Sequence, residues 1–254
     1  GVMNIVVCVK QVMDTEALIE LGDDGNVLTE GRTQIIDPYG EFAVEKAVQL
    51  KEQLGGEVTV LCYGDDGCTS AIRHALAMGA DKAVLVEDDS WRAVDAAQCA
   101  EVLAASLKDM GADVIMGGWT SGDTASAQVM GRISAILGIP FANMVTSLEA
   151  TDSGVKASCE VDDGFEVCEY QLPVIIGAQQ GLAEPRYPSV RDVMQARRKP
   201  IERKAAEVST PAAIEVMGRE LKGARSGGRI VEGETVADAV AETARLLRSE
   251  AKVL

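Results

Sequence analysis

Up to about residue 140 the chain alternates short, β-branched apolar runs with segments of helical apolar spacing. The candidate strands are residues 4–10, 58–62, 83–86 and 113–117, short and branched enough to be buried on both faces. Helical patterns fill the gaps at about 37–54, 66–78, 93–110 and 124–137. That order makes β-α units, which assemble into a parallel sheet covered by helices. The first helix is the best marked. Asp37 stands as N-cap and Pro38 at the first helical position, Ala43, Ala47, Leu50 and Leu54 share a stripe, and Gly55-Gly56 ends it. Before it, residues 20–36 hold Gly22-Asp23-Asp24-Gly25-Asn26, a turn signal that predicts a small hairpin insertion.

After residue 140 the pattern becomes alternation with turns. Runs at 144–150, 154–161, 165–170 and 174–178, joined in part by Asp152-Ser153-Gly154 and Asp162-Asp163-Gly164, predict an antiparallel meander. The fold class read from residues 3–200 is therefore α/β: a doubly wound, mostly parallel sheet extended by an antiparallel meander. Residues 201–254 read as a C-terminal arm and helix. Ser226-Gly227-Gly228 is a candidate hinge, Thr235-x-x-Asp238 is a capping box, and Val236, Val240, Leu247 and Ala251 form an apolar stripe. So extended an arm buries little against its own domain and is expected to lie on another subunit.

Composition excludes several classes. The longest apolar runs, such as 5–9 and 173–178, fall far short of the roughly 20 residues of a membrane span. A formal net charge of −16 disfavours nucleic acid and anionic membranes. Six cysteines, at 8, 62, 68, 99, 159 and 168, form no C-x-x-C pair and have no histidine at ligand spacing, so they read as reduced, buried thiols of a cytoplasmic protein without a metal. The single histidine, His74, has no catalytic companion and reads as structural. Gly1 and Val2 ahead of Met3 read as a cloning remnant, and no signal peptide is expected.

Two loops stand out. Gly118-Trp119-Thr120-Ser121-Gly122-Asp123-Thr124-Ala125-Ser126-Ala127-Gln128 leaves the carboxyl end of a parallel strand and enters a helix, where free N–H groups and a helix dipole suit a phosphate. Thr124 and Ser126 add hydroxyls, and Asp123 alternatively serves only as an N-cap. The second loop, Leu182-Ala183-Glu184-Pro185-Arg186-Tyr187-Pro188-Ser189, is stiffened by prolines and projects its side chains, with Leu182 as an apolar tip. It leads into Met194-Gln195-Ala196-Arg197-Arg198-Lys199-Pro200, whose cations suit an acidic partner or a helix end.

This second loop resembles the L-N-E-P-R-Y signature of electron transfer flavoprotein β subunits, with Ala183 in place of Asn. Ala71-Ile72-Arg73-His74-Ala75-Leu76-Ala77-Met78-Gly79-Ala80-Asp81 and Val6-Val7-Cys8-Val9-Lys10-Gln11-Val12-Met13-Asp14 are similar to two further motifs of that family, in family order. The resemblance implies an adenine-nucleotide α-hydrolase-like sheet and an electron carrier rather than an enzyme. It implies FAD shared with an α subunit, and AMP or a second FAD in the β subunit. The nucleotide residues it suggests are Cys8, Val9, Asp37, Tyr63, Gly64, Gly118, Asp123, Thr124, Ser126, Ala127, Gln128 and Val129. The loop departs from the family at Ser121 and Ala125, which leaves AMP and FAD both open. Docking to an acyl-CoA dehydrogenase-type partner of fatty acid β-oxidation would use Leu182, Glu184, Pro185, Arg186 and Tyr187. Two alternatives stand beside this: a bifurcating β subunit with a second FAD oxidising NADH, and a stand-alone adenine-nucleotide-binding module.

Overall fold

A computed structural model describes residues 2–223 and 227–254. The chain divides into two compact units, Gly1–Gly218 and Arg219–Leu254. In the first, the elements run β1 (Met3–Val9), β2 (Gln11–Met13), β3 (Gln34–Ile36), α1 (Pro38–Leu54), β4 (Gly56–Gly64), α2 (Thr69–Met78), β5 (Lys82–Glu87), α3 (Ala96–Leu107), β6 (Val114–Gly118), α4 (Val129–Leu137), β7 (Phe141–Ala150), β8 (Gly154–Val161), β9 (Gly164–Gln171), β10 (Val174–Ala178), α5 (Val190–Ala196) and β11 (Ile201–Ala205).

Nine strands form one sheet in the order β11-β5-β4-β1-β6-β10-β7-β8-β9. Within it only β8 runs against the rest. Ile5, Val7, Val58, Val60, Val114 and Ile175 are fully buried, as β-branched side chains on both faces of a covered parallel sheet should be. Helix α1 follows its sequence signals: Asp37 caps it, Pro38 enters it, and Ala43, Val44, Ala47, Val48 and Leu50 are its buried side. The predicted insertion is a ribbon in which β2 and β3 pair antiparallel, with a further bridge between Leu21 and Val27.

Three expectations change. Residues 174–178 are not the last strand of the meander; β10 inserts between β6 and β7, parallel to both. Its uninterrupted Val174, Ile175 and Ile176 satisfy a position buried on both sides, which an outer antiparallel strand does not offer. The sheet also does not end at Pro200, because β11 pairs with β5 and the first compact unit continues to Gly218. Finally, α4 begins at Val129 rather than at Thr124.

Part of the basic segment is structural. Lys199 Nζ donates to the carbonyl of Leu76 (2.9 Å), which the C-cap Gly79 N–H also serves, and to that of Ala80 (2.6 Å) just past the end of α2, where a cation suits the helix dipole. Arg73 of α2 answers by donating to the carbonyls of Ala196 and Lys199, both at 2.7 Å.

In the second unit α6 (Val236–Leu246) starts at the expected capping box, with Thr235 and Asp238 exchanging side-chain and backbone bonds, and passes into a π-helical turn at Leu247–Ala251. Val236 and Val240 of its apolar stripe are exposed. The hinge expected at Ser226-Gly227-Gly228 includes Ser226, which lies outside the described residues.

Lys199→Met is expected to lower folding stability by about 1–2 kcal/mol by removing the charged donor to the Ala80 and Leu76 carbonyls at the exit of α2. Arg197→Met, at an exposed side chain, should stay within about 0.5 kcal/mol. Urea midpoints check both, and identical midpoints for Lys199→Met and the parent would show that the helix end needs no cation.

Candidate functional site

Strand order reverses at β1: the chain passes from β1 to β4 and β5 on one side and only later places β6 on the other. Open α/β sheets leave a crevice outside the carboxyl ends at such a point. Register brings the predicted residues to that edge, with Val9 opposite Cys62 and Cys8 opposite Gly117. Cys8, Val9 and Tyr63 are buried, so what they offer here is main chain. The Cys8 thiol is pushed up to about 12, first by burial and then by neighbouring Cys99. The Tyr63 hydroxyl donates to Asp88 Oδ2 at 2.5 Å, and burial together with that carboxylate raises its pKa. A Cβ on Gly64 would lie 2.3 Å from Cys68 Sγ, and one on Gly118 would lie 2.6 Å from Tyr39 Cβ. Both glycines therefore let neighbouring elements close on the sheet edge.

Asp37 organises the crevice. Its Oδ1 accepts from the N–H of Tyr39 (3.0 Å), capping α1, while Oδ2 accepts from the N–H of Gly122 (2.6 Å) in the loop after β6. Its own N–H donates to the carbonyl of Lys10 at 2.8 Å. Burial raises its pKa, and the bonds from Gly122 and Tyr39 oppose that rise. On the loop itself, Asp123 Oδ1 accepts from Lys10 Nζ (2.8 Å), Ser121 Oγ (2.7 Å) and the N–H of Thr124 (2.8 Å). Burial works to raise the Asp123 pKa, but Lys10 and these donors hold it below the usual carboxylate value. Trp119 fixes the start of the loop: its N–H donates to the carbonyl of Ala178 and its indole to Gln179 Oε1, both at 3.1 Å. It also meets Tyr39 edge to face at 5.9 Å between ring centroids.

Asp123 is not the N-cap of α4. Gln128 holds that position without a side-chain cap, and the residues between leave the helical path, with Ala125 at φ 49° and Ala127 at φ 53°. Left-handed non-glycine residues cost roughly 1–3 kcal/mol each and are found where a loop is held for use. Among the described residues, the N–H groups of Ser126, Ala127 and Gln128 have no hydrogen-bond partner. A left-handed Ala127 followed by a right-handed Gln128 turns successive N–H groups to one side, a backbone nest that suits an anion, just ahead of Val129 and the positive end of α4. The donor set thus fits a phosphate-bearing ligand, with Thr124 and Ser126 hydroxyls on the same loop. Sequence reasoning put Trp119 and Ser121 on this loop without a role and missed Lys10 and Tyr39. The available signal was a cation placed directly after a buried strand at the carboxyl edge.

The second loop is oriented differently from its sequence reading. Leu182 is buried, 6% exposed, and belongs to the core rather than forming a tip. Proline stiffness fixes a loop's shape but not its direction, and burial of the leucine decides the direction. Glu184 is exposed and Pro185 half-buried, while Tyr187 is 98% exposed. Arg186 faces inward. Its Nε is 2.9 Å from Glu45 Oε2 and its Nη1 2.7 Å from Glu52 Oε1, clasping two carboxylates of α1. Burial opposes ionisation of Glu45, yet Arg186 and Gln49 hold its carboxyl below the ordinary value.

No group of residues able to hold a metal occurs among the described residues, and no described helix is long and apolar enough to cross a membrane.

Comparison with known proteins agrees with this architecture. A family model described as the electron transfer flavoprotein domain matches residues 25–209. The electron transfer flavoprotein subunit beta of Syntrophomonas wolfei is 41% identical over 235 residues, covering 91% of each chain. That of Bacillus subtilis is 36% identical over 259 residues, covering 99% of this chain and 100% of the relative. That of Clostridium acetobutylicum is 37% identical over 194 residues, covering 76% and 75%.

Arg186→Met leaves Glu45 buried without its cation and is expected to cost about 3 kcal/mol of stability near neutral pH. Because the folded-state pKa of Glu45 is depressed, the parent's advantage is present above the unfolded value of 4.5 and fades as pH falls through the folded one. Denaturant titrations of both proteins across that range check it, and a pH-independent difference would assign the loss to packing.

Proposed function

The chain belongs to the electron transfer flavoprotein family as a β subunit, and from that membership we propose that it is one half of a heterodimer carrying electrons from acyl-CoA dehydrogenase-type flavoenzymes to a downstream acceptor. In this reading the α subunit holds most of a shared FAD, and the β chain keeps an adenine nucleotide, AMP or a second FAD, at the switch point beside β1. Shared FAD supplies reversible electron carriage when bound. The β chain needs no acid or base for that task; its part is to bind, orient and shield.

The run of unengaged N–H groups at Ser126, Ala127 and Gln128, held on the Asp37 and Asp123 supports, carries the nucleotide half of the reading. Gly122 and Asp123 fix the loop, Gly118 lets it lie close to α1, and the main chain of Cys8 and Val9 lies at the carboxyl edge of the sheet where an adenine would bind. Exposed apolar side chains along the C-terminal stretch, among them Ile214, Met217, Ile230 and Val236, support its docking on the α subunit, since a solitary domain rarely leaves so many uncovered. That feature also favours a subunit over a stand-alone nucleotide-binding module. Cytoplasmic residence is part of the same reading and agrees with six free cysteines.

Co-expression with an electron transfer flavoprotein α subunit, followed by quantification of FAD and AMP released per heterodimer, tests the assignment. One FAD with one AMP is expected for a simple carrier, and two FAD without AMP would identify a bifurcating one. Absence of any flavin-containing complex would sink the reading.

For dehydrogenase docking, Tyr187 takes the exposed position first assigned to Leu182. Tyr187→Ala should weaken association with the dehydrogenase while leaving stability within about 0.5 kcal/mol. Leu182→Ala should cost about 2–5 kcal/mol of folding stability. Pull-down affinity and melting curves separate the two, and unchanged docking in Tyr187→Ala would move the contact elsewhere.

A further inference from the structure

We propose that Lys10 is the positioning residue for the phosphate end of the nucleotide, exchanging its ion pair with Asp123 for the incoming anion; this rests on the nucleotide reading of the switch point. Lys10 stands directly after β1, its carbonyl fixed by the N–H of Asp37 at 2.8 Å. Beyond that fixed backbone a flexible stem carries an ammonium to 2.8 Å from Asp123 Oδ1 and 3.4 Å from Ser121 Oγ, with the side chain 32% exposed. It can turn without moving the strand.

Asp123 does not depend on Lys10 for its place. The hydroxyl of Ser121 and the N–H of Thr124 donate to the same oxygen, so the carboxylate stays anchored when the ammonium leaves. The electrostatics favour the exchange. Asp37 and Asp123 place two carboxylates at the crevice, close enough that Asp123 adds to the upward shift of Asp37. A phosphate approaching the nest at Ser126, Ala127 and Gln128 meets that negative field, and a cation must turn toward it for binding to be favourable. Arg132, exposed on α4, has its guanidinium on Gln128 Oε1 at 3.0 and 2.9 Å, which holds the cap residue. Lys10 is the cation directly after β1, at the carboxyl edge of the sheet beside Asp123.

An ion pair that merely shapes the loop and one that gives up its cation respond differently to loss of each partner. Removing either member of a shaping pair loosens the loop and weakens every ligand. In an exchanging pair, loss of the cation weakens the phosphate ligand, and loss of the competing carboxylate strengthens it.

The test uses the purified heterodimer stripped of nucleotide and titrated calorimetrically with AMP, with adenosine as the phosphate-free control. Lys10→Met should weaken AMP about ten- to a hundredfold while leaving adenosine unchanged. Lys10→Arg should retain most of the preference for AMP, and Asp123→Asn should tighten AMP. Weaker AMP binding in both Lys10→Met and Asp123→Asn, or equal losses for AMP and adenosine, would overturn the exchange, as would unchanged AMP affinity in Lys10→Met. If the parent heterodimer binds neither ligand, the nucleotide reading itself falls and the role of Lys10 with it, a result recognisable before any variant is made.

Discussion

The carboxylate of Asp37 is bonded to two pieces of chain that are far apart in sequence. One oxygen caps α1 and the other takes the N–H of Gly122, so a single buried side chain fixes both the helix of the first crossover and the loop after β6. Its own N–H secures the carbonyl of Lys10 at the end of β1. The end of β1, the loop after β6 and one helix start are thus joined through one residue. Burying a carboxylate is costly unless its oxygens are served, and here the donors are the backbone groups whose positions matter.

Helix α1 extends that control to the Pro-rich loop. Its first turn is set by Asp37, while Glu45 and Glu52 further along hold Arg186, so the Pro-rich loop is referenced to the same rigid element as the loop after β6. Lys51 near its end donates to the carbonyl of Gly79 and pairs with Asp81, tying it to the exit of α2. The Leu182–Tyr187 stretch is therefore less a free projection than a strap buckled at Arg186, buried at one end and presenting only Tyr187 fully.

What could be read in advance follows from where the deciding interactions lie. Strands β1, β4, β5 and β6, and α1 with its Asp37-Pro38 start, are specified by local apolar pattern and caps. The parallel insertion of β10 is specified by tertiary burial; its only local trace is an apolar run without alternation. Strand β11 was hidden by Glu202, Arg203 and Lys204, charges that suit a sheet edge, where Arg203 reaches Asp66 and Glu87. The region between Asp123 and Gln128 resembles a helix start in composition. Bonds from Lys10 and Asp37, distant in sequence, take that part of the chain elsewhere and leave Ala125 and Ala127 left-handed. The candidate site was legible as a set of residues but not as a mechanism of support, because its supports come from the ends of other elements.

The titratable groups around the switch point are each buried or engaged by a neighbour. Cys8 is held neutral by burial, Tyr63 is bound to Asp88 and shifted upward, and Asp123 is held below the usual carboxylate range by Lys10 and its neighbours. Asp37 moves upward, but its oxygens are engaged by backbone N–H groups. General acid–base work needs a group poised near the working pH and reaching a reacting atom. Asp37 and Asp123 instead spend their polarity on backbone N–H groups, and the free donors are backbone N–H groups that neither gain nor lose a proton. An edge built this way is suited to gripping an anion and keeping it still rather than to moving a proton.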